Sequence, residues 1–401
     1  MKLLPEYDAL LKLCSNSLFN TNFVIKNHID WELVFNESIN QSVAAIAFDG
    51  IKGIKLPEDI YKKWLMQSVQ IVRNNYNVNG YHSILNDLMS QNGIPYCVLK
   101  GASSDYYYPK PMIRSMGDVD FLVPHDYFKK AIDIFIKSGF ITRGEKEYVH
   151  TVFRKENMHF EMHFEPPGIP NNELRKIIED YFKTIINESR LVYIEENAFI
   201  NPSKFHHGLI LLLHISHHLL REGIGLRHLC DWAVFVNSFK GREFVETFSD
   251  KLKLIGVWDF ASILTVLSNK YLSLPLPEDI GTNFTKFDEF IEDIFVSGNF
   301  GKKKNSRYFE SLYISSIDNP NSSYSKKKQF VRSINCIIFN KHNWLQNHKL
   351  FLPIFWIFYG LRYFVRYILG RRKSILNKEI LDSANKRKYI YKDFHLFETE
   401  K

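Results

Sequence analysis

Apolar residues recur at three- and four-residue spacing through about the first 90 residues, and this spacing is typical of helices that bury one face. The run YKKWLMQSVQIVRNNYNVNGYHSILNDLM shows the pattern over the longest stretch. After Gly93 the pattern changes to short apolar runs at 96–99 and 118–123, each bounded by Gly or Pro. Such runs are typical of buried strands. Residues 1–90 are therefore predicted to form a helical region, followed by a region with strands at 91–200.

Two runs of alternating polar and apolar residues follow, YVHTVFRK and MHFEMHFE. They meet at Glu156-Asn157 and predict a β-hairpin. Four polar residues share one face of the second strand, because side chains alternate across the pleat. That face is a solvated surface, a metal site or an active-site wall, and two carboxylates predicted in a neighbouring strand favour a shared site. The four residues are His159, Glu161, His163 and Glu165.

A strand is also predicted at 191–194, after which the chain returns to helical spacing over residues 201–300. Histidines and charged residues recur on one stripe of two of these helices. They indicate a metal site, a hydrogen-bonded joint between helices or a surface for an acceptor substrate. Their spacing matches no zinc motif, so we favour the joint or the acceptor surface. The stripe residues are His214, His217, His218 and Arg221 on the first helix and Arg227, His228 and Asp231 on the second.

The C-terminal part of the chain is strongly basic. Residues 301–401 carry 21 Lys and Arg against 7 Asp and Glu, a net charge of +14, while the rest of the chain is at −6. The tail contains the aromatic-rich run KLFLPIFWIFYGLRYFVRYILGRRK, whose apolar part is too short to span a bilayer. Flanked by Arg371-Arg372-Lys373, a helix here would lie on an anionic membrane surface or pack on the body with its basic residues in water.

The overall composition is that of a folded protein, with 401 residues and 45% hydrophobic content, enough for two or three domains. The four cysteines are far apart and form no CxxC pair, which fits a reducing compartment. Pro5, Glu6 and Asp8 interrupt the apolar core that a signal peptide needs. We therefore expect a cytoplasmic protein, with peripheral membrane attachment through the tail as an option.

The strongest chemical signal is the pair Asp118 and Asp120. Two carboxylates two residues apart on a strand project from the same face, and left without a cation they repel each other. Two Mg²⁺ ions bridging such carboxylates and phosphate oxygens would support nucleotidyl transfer, with Mn²⁺ as an alternative ion. Glu161, from an adjacent strand, would be the third ligand or would help to deprotonate the acceptor hydroxyl.

A turn of small residues precedes this pair. Gly101 and Ser103 would let the backbone approach a triphosphate, with amide N–H groups at the start of the next helix turned toward it. Lys100 and Arg114 are the nearest fixed positive charges along the chain. We therefore predict an NTP site, ATP included, formed by these four residues.

The same residues carry a resemblance. The segments Leu99-Lys100-Gly101, Gly117-Asp118-Val119-Asp120 and Phe160-Glu161-Met162-His163, together with Arg114, resemble the uncharacterised nucleotidyltransferase family of the DNA polymerase beta-like superfamily. The resemblance covers about residues 80 to 240 and implies an α+β fold, in which a small mixed-sheet core is flanked by N-terminal and C-terminal helical regions. It also implies metal binding at Asp118, Asp120 and Glu161 and phosphate contacts at Gly101 and Ser103.

The sequence therefore predicts a Mg²⁺-dependent enzyme that moves a nucleoside monophosphate from an NTP to an unknown acceptor hydroxyl with release of pyrophosphate. The acceptor is a small molecule, a sugar, a protein or an RNA. Two alternatives stay open: a nucleotide-sensing protein with an inactive core that docks to membrane or nucleic acid through its basic tail, and a metal-dependent hydrolase at the histidine stripe. The residues expected on the acceptor side are His163, His214, His218, Arg227 and Asp231.

Overall fold

A computed structural model describes residues 3–25, 28–142, 150–304, 349–368 and 378–399, with isolated positions between 306 and 348. The predicted N-terminal helical region is confirmed as four helices. They are α1 (Pro5–Phe19), α2 (Trp31–Asn40), α3 (Ala44–Asp49) and α4 (Glu58–Gln91).

The 34-residue helix α4 connects the two cores of the molecule. At 1.5 Å per residue it is roughly 50 Å long. Ile60 and Trp64, near its start, pack in a helical core, whereas Leu85 and Met89, near its end, pack against a β-sheet. This one helix therefore fixes the sheet relative to the helical part of the protein.

The sheet has five strands in the order β1-β2-β5-β4-β3. Strands β2 and β5 are parallel and the other pairs are antiparallel, so the sheet is mixed, as predicted. The hairpin predicted at Glu156-Asn157 is confirmed, with β4 and β5 pairing along their whole length. The strands are β1 (Cys97–Val98), β2 (Val119–Leu122), β3 (Ile141–Thr142), β4 (His150–Lys155) and β5 (Met158–His163).

Aromatic side chains form the centre of the sheet core. Phe121, Phe153 and Phe160 come from three strands and pack with Phe135 of helix α6 (His125–Lys137). The rings of Phe135 and Phe153 stack with centroids 4.2 Å apart. The apolar face of β5 is thereby buried, which leaves its polar face on the opposite side of the sheet.

The connection back to helices differs from the sequence prediction. The strand predicted at 191–194 is present as β6 (Arg190–Ile194), but it pairs with a second strand, β7 (Asn197–Asn201), that the sequence analysis missed. Only Phe199 and Asn201 of β7 are buried, so its five residues carry little apolar periodicity. Two short helices also precede β6 along the chain, α5 (Ala102–Asp105) and α7 (Arg175–Phe182).

The remaining helices, apart from the one at Leu352–Ile368, form one core with α1 to α3. Buried side chains of this core come from both ends of the chain, for example Leu10 and Tyr391. The basic tail accordingly returns to the body, where Arg387 donates a hydrogen bond to the Leu219 carbonyl at 2.8 Å. The helices are α8 (Lys204–Leu220), α9 (Leu226–Val236), α10 (Glu243–Leu254), α11 (Trp258–Leu272), α12 (Phe287–Ser297), α13 (Leu352–Ile368) and α14 (Lys378–Tyr391).

Helix α13 is the least covered element of the tail. Ile354, Ile357 and Leu361 are 61%, 65% and 60% exposed. The predicted basic flank Arg371-Arg372-Lys373 lies outside the described residues. No helix within the described ranges is long and apolar enough to cross a membrane.

Candidate active site

The parallel pairing of β2 and β5 brings the predicted carboxylates together. Asp120 is the direct register partner of Glu161, and side chains at paired positions share one face of a sheet. Asp118 lies just before β2 and two residues from Asp120, so its carboxylate reaches the same face. Three acidic residues therefore meet at one edge of the polar sheet face.

The three carboxylates form two ligand groups that have Glu161 in common. Asp118, His159 and Glu161 form one group, and Asp120, Glu161 and His163 form the other, with ligand atoms within 4.8 Å of one another in each. Nε2 of His159 is buried without a hydrogen-bond partner. Carboxylate oxygens suit Mg²⁺ and Mn²⁺, and imidazole nitrogens suit borderline metals such as Zn²⁺. The residues present therefore fit one or two divalent cations.

The sequence predicts His163 on the acceptor side, and it predicts no individual ligand role for His159. The structure places both on β5, with His163 Nε2 3.0 Å from Asp120 Oδ1. The signal was present in the alternation of MHFEMHFE, because residues two apart on a strand share a face. His163 therefore lies beside the carboxylates. His214 and His228 of the helical stripe lie across a cavity from Asp118 and Asp120.

The neighbours of Asp120 keep it ionised. Burial alone would raise the pKa of Asp120, but the Lys100 ammonium and the His163 ring outweigh burial and lower the pKa below its usual range. Lys100 Nζ lies 3.0 Å from Asp120 Oδ1. Asp120 therefore offers a charged carboxylate at any pH near neutrality.

The pKa of Glu161 is shifted in the opposite direction from that of Asp120. Burial raises the pKa of Glu161 to about 7, and the negative charges of Asp120 and Asp118 add to that effect. Without a cation, the cluster therefore lowers its own repulsion by retaining a proton on Glu161 near neutral pH. A bound cation would displace this proton.

This proton predicts a pH-dependent affinity for divalent cations. We expect the association constant to rise by about tenfold per pH unit below pH 7 and to level off above it, because ligands must lose their protons to bind a metal. Titration calorimetry with Mg²⁺ or Mn²⁺ in buffers of different ionisation enthalpy would count the proton released. Glu161→Gln is expected to abolish that proton release, and an affinity independent of pH below 7 would contradict the assignment.

The predicted phosphate turn lies directly beside the carboxylates. Gly101 has a φ of +67°, a value that L residues rarely adopt. A Cβ at this position would lie 3.3 Å from Met116 Sδ and 3.6 Å from the Asp118 carbonyl oxygen. Glycine is therefore needed for the turn to approach the Asp118 loop closely.

Ser103 and Ser104, the two serines of this turn, have different surroundings. The Ser103 hydroxyl is fully buried and donates a hydrogen bond to the Val98 carbonyl oxygen at 2.7 Å. Ser104, the next residue, lines the cavity beside Lys100 and Gly101. Of these two serines, Ser104 is therefore the one that borders the cavity, while Ser103 ties the turn to β1.

Arg114 is engaged by carboxylates of the protein itself. It donates to both oxygens of Asp231 at 2.6 and 2.8 Å, and to Asp105 Oδ1 at 2.9 Å. Tyr108 donates a further bond to Asp231 Oδ1 at 2.7 Å. These groups are buried. Arg114 and Asp231, predicted respectively on the phosphate and acceptor sides, thus form one ion pair between the core and α9.

The histidine stripe of α8 forms a chain of polar contacts. His214 Nε2 and His218 Nε2 are 3.1 Å apart, and His218 Nδ1 is 3.3 Å from Glu222 Oε2. Burial and the Lys100 charge lower the pKa of His214 well below its usual value, so this ring is neutral. The Phe300 ring packs on His218 and His228, with centroids 4.7 and 5.0 Å away. The hydrogen bonds of the stripe therefore run along α8 and its C-terminal turn, and the contact of His214 with His228 of α9 is ring packing, so a hydrogen-bonded joint between the two helices stays a prediction.

A cavity of about 190 Å³ separates the carboxylates from this joint. Both walls carry residues that sequence analysis assigned to the site, so the structure brings the phosphate side and the acceptor side together. His218 supports the cavity through His214. The sheet-side wall includes Lys100, Gly101, Asp118 and Asp120, and the helical wall includes His214, Arg227, His228, Asp231 and Phe300.

Comparison with known proteins places this geometry in a family. A solved structure similar to this chain is that of an antigenic nucleotidyltransferase-like protein from Paracoccidioides brasiliensis, with 13% identity and a TM-score of 0.31, covering 50% of this chain and 94% of that one. Comparison with curated proteins gives no match. Residues 27–273, more than half of the chain, match the family described as uncharacterised nucleotidyltransferase. The chain therefore belongs to the uncharacterised nucleotidyltransferase family.

Proposed function

We propose that the protein transfers a nucleoside monophosphate from an NTP to the hydroxyl of an acceptor and releases pyrophosphate. The observation that carries the proposal is the register of Asp120 with Glu161, which brings Glu161 close to Asp118 and Asp120, the two carboxylates that line the cavity beside Lys100. A hydroxyl oxygen would bond to the α-phosphorus as the bond to the pyrophosphate oxygen breaks, and the hydroxyl proton would leave to a base.

A divalent cation at this cluster, Mg²⁺ or Mn²⁺, would neutralise charge on the phosphate oxygens during the reaction. Asp118, Asp120 and Glu161 would hold it, with His159 and His163 as further ligands. Lys100 keeps one positive charge beside Asp120, and Gly101 brings the backbone of the turn within reach of a triphosphate. Ser104 lines the cavity at the place where sequence analysis had expected Ser103.

The helical wall would receive the acceptor. His214 lines the cavity as a neutral ring, and a neutral imidazole can hydrogen-bond to an acceptor hydroxyl and orient it. The contacts from His214 to His218 and on to Glu222 would hold the His214 ring in place. This arrangement supports an acceptor bound between Asp118 and His214.

The proposal is tested by incubating the protein with cell extract, Mg²⁺ and NTPs labelled at the α-phosphate. Wild-type protein is expected to produce labelled products that the Asp118→Ala/Asp120→Ala variant does not. Identical products from both proteins would contradict the proposal. The base preference and the acceptor class follow from the labelled NTP and from treatment of the product with protease or ribonuclease.

Exposure of α13 favours a second candidate function, a nucleotide-sensing protein that docks on an anionic membrane. Apolar residues of this helix are more than half exposed, and the surrounding tail is strongly basic, a combination that suits an interfacial helix. This candidate predicts NTP binding without turnover.

The membrane candidate is tested by flotation with vesicles that contain anionic lipid. Ile354→Glu/Ile357→Glu is expected to reduce binding, whereas Leu65→Glu, at a partly exposed apolar position of α4, is not expected to. These point variants are preferable to deletion of 301–401, because Tyr391 and Phe394 belong to the helical core. Equal binding of all three proteins would exclude docking through α13.

A further inference from the structure

The helical wall of the cavity contains a half-buried cation without a carboxylate partner. Of the three cationic side chains that line the cavity, Lys100 pairs with Asp120 and Arg114 pairs with Asp105 and Asp231. Arg227 donates through Nη1 to the Ser115 carbonyl oxygen at 3.1 Å, and its Nε is buried without a partner. Among the residues that the structure describes, Arg227 forms no ion pair.

The surroundings of Arg227 leave its charge poorly compensated. Burial and the neighbouring Arg114 charge lower the pKa of Arg227, although an arginine remains protonated at neutral pH. The guanidinium carbon lies 5.3 Å from the centroid of the Phe300 ring, which holds one face of the cation. A half-buried cation whose Nε is shielded from water and has no hydrogen-bond partner favours an anionic ligand.

His228 supplies a second unused donor at the same place. Its Nδ1 accepts a hydrogen bond from the Gly225 amide at 3.3 Å, so in the neutral ring the proton is on Nε2. Burial and the Arg227 charge lower the pKa of His228 well below its usual value, which keeps the ring neutral. The residue is 3% exposed, its Nε2 has no hydrogen-bond partner, and it lines the cavity.

We propose that Arg227 and His228 form a phosphate-binding subsite at the helical wall of the cavity. The guanidinium would bind phosphate oxygens through charge-assisted hydrogen bonds, and His228 Nε2–H would donate to a further oxygen. The class of ligand is therefore a substrate that carries a phosphate group on this side of the cavity. That this ligand is a substrate rests on the proposed nucleotidyl transfer. The binding of phosphate at Arg227 and His228 does not depend on that function.

Two sources would present such a phosphate. One is an acceptor that bears a phosphate as well as the attacking hydroxyl, and the other is the triphosphate tail of the NTP. Both sources would place phosphate oxygens on Arg227. If the phosphate belongs to the acceptor, phosphate and NTP bind to the protein together; if it belongs to the triphosphate, phosphate and NTP compete.

The experiment measures binding of inorganic phosphate to the metal-free full-length protein by titration calorimetry. We expect Arg227→Gln to weaken binding by about 10- to 100-fold, since hydrogen bonds to a charged group contribute that much. His228→Phe keeps the ring contacts and is expected to weaken binding by about 2- to 10-fold. Arg73→Gln, at an exposed arginine of α4 outside the cavity, is the matched control and is expected to bind as the wild type does.

Equal affinity of Arg227→Gln and wild type, or no binding of phosphate by wild type, would overturn the subsite. Thermal unfolding of each variant shows whether it is folded, and Arg227→Lys, which keeps the charge, is expected to retain more affinity than Arg227→Gln. Repeating the titration with a non-hydrolysable NTP and Mg²⁺ separates the sources: additive binding assigns the subsite to the acceptor, and competition assigns it to the triphosphate. Absence of nucleotidyl transfer with phosphate binding that depends on Arg227 would reject the proposed function and leave the subsite intact.

Discussion

Asp120→Asn is expected to reduce nucleotidyl transfer by at least about 10³-fold, because a cation bound at this cluster contributes several kcal/mol of transition-state stabilisation. Asp120 is the carboxylate with the lowered pKa, and it contacts both Lys100 and His163. Asparagine keeps the shape of the side chain and removes its charge. The measurement is the initial rate of α-label transfer at saturating NTP, alongside Mn²⁺ affinity by calorimetry.

Asp133→Asn is the matched control, since Asp133 is an exposed residue of α6 outside the cavity. The control is expected to have wild-type activity and wild-type metal affinity. If Asp120→Asn retained more than about a tenth of the wild-type rate, the residue could not be holding an essential cation.

Asp231→Asn is expected to lower the free energy of unfolding by about 3–5 kcal/mol, the usual cost of removing one partner of a buried ion pair. The substitution leaves the Arg114 guanidinium, which is 4% exposed, with Asp105 as its remaining carboxylate. Burial raises the pKa of Asp105 to about 7, so near neutral pH this carboxylate is only partly charged. Chemical denaturation monitored by circular dichroism measures the loss.

Two controls separate a buried pair from a general effect of charge. Glu58→Gln breaks the exposed pair between Glu58 and Lys62, and it is expected to cost about 0.5 kcal/mol or less. The double variant Arg114→Met/Asp231→Leu is expected to be more stable than Asp231→Asn, because no buried guanidinium is left unpaired and Asp105, whose pKa burial raises to about 7, can take up a proton. A cost below about 1 kcal/mol for Asp231→Asn would show that Arg114 is not held by this pair.

Much of the carboxylate and histidine cluster could be predicted from the sequence because strand alternation is a local property. The spacing of Asp118 and Asp120, and of His159, Glu161 and His163, already fixes which side chains share a face. The alignment of Asp120 with Glu161 could not be predicted this way, because strand order and register depend on contacts distant in sequence. The mixed sheet and the helical flanks were predictable from periodicity together with the family resemblance.

The parts that sequence analysis did not reach depend on tertiary contacts. A run of Gly-Ala-Ser-Ser does not indicate that Ser103 faces Val98 while Ser104 faces the cavity, because that depends on the φ of Gly101. Arg114 is close in sequence to Asp118, yet it is bound by Asp231 from a helix more than 100 residues later. Phe300 reaches the cavity from beyond α12, a position that no local pattern indicates.

The most direct test of nucleotidyl transfer follows the phosphorus atoms of the NTP. Wild-type protein is incubated with Mg²⁺, extract and either α-³²P- or γ-³²P-labelled NTP, and the label in the product and in the released phosphate species is measured. Our account predicts that the product carries the α label and that the γ label is recovered in pyrophosphate. A product that carries the γ label, or a wild-type reaction in which no product carries the α label, would contradict it.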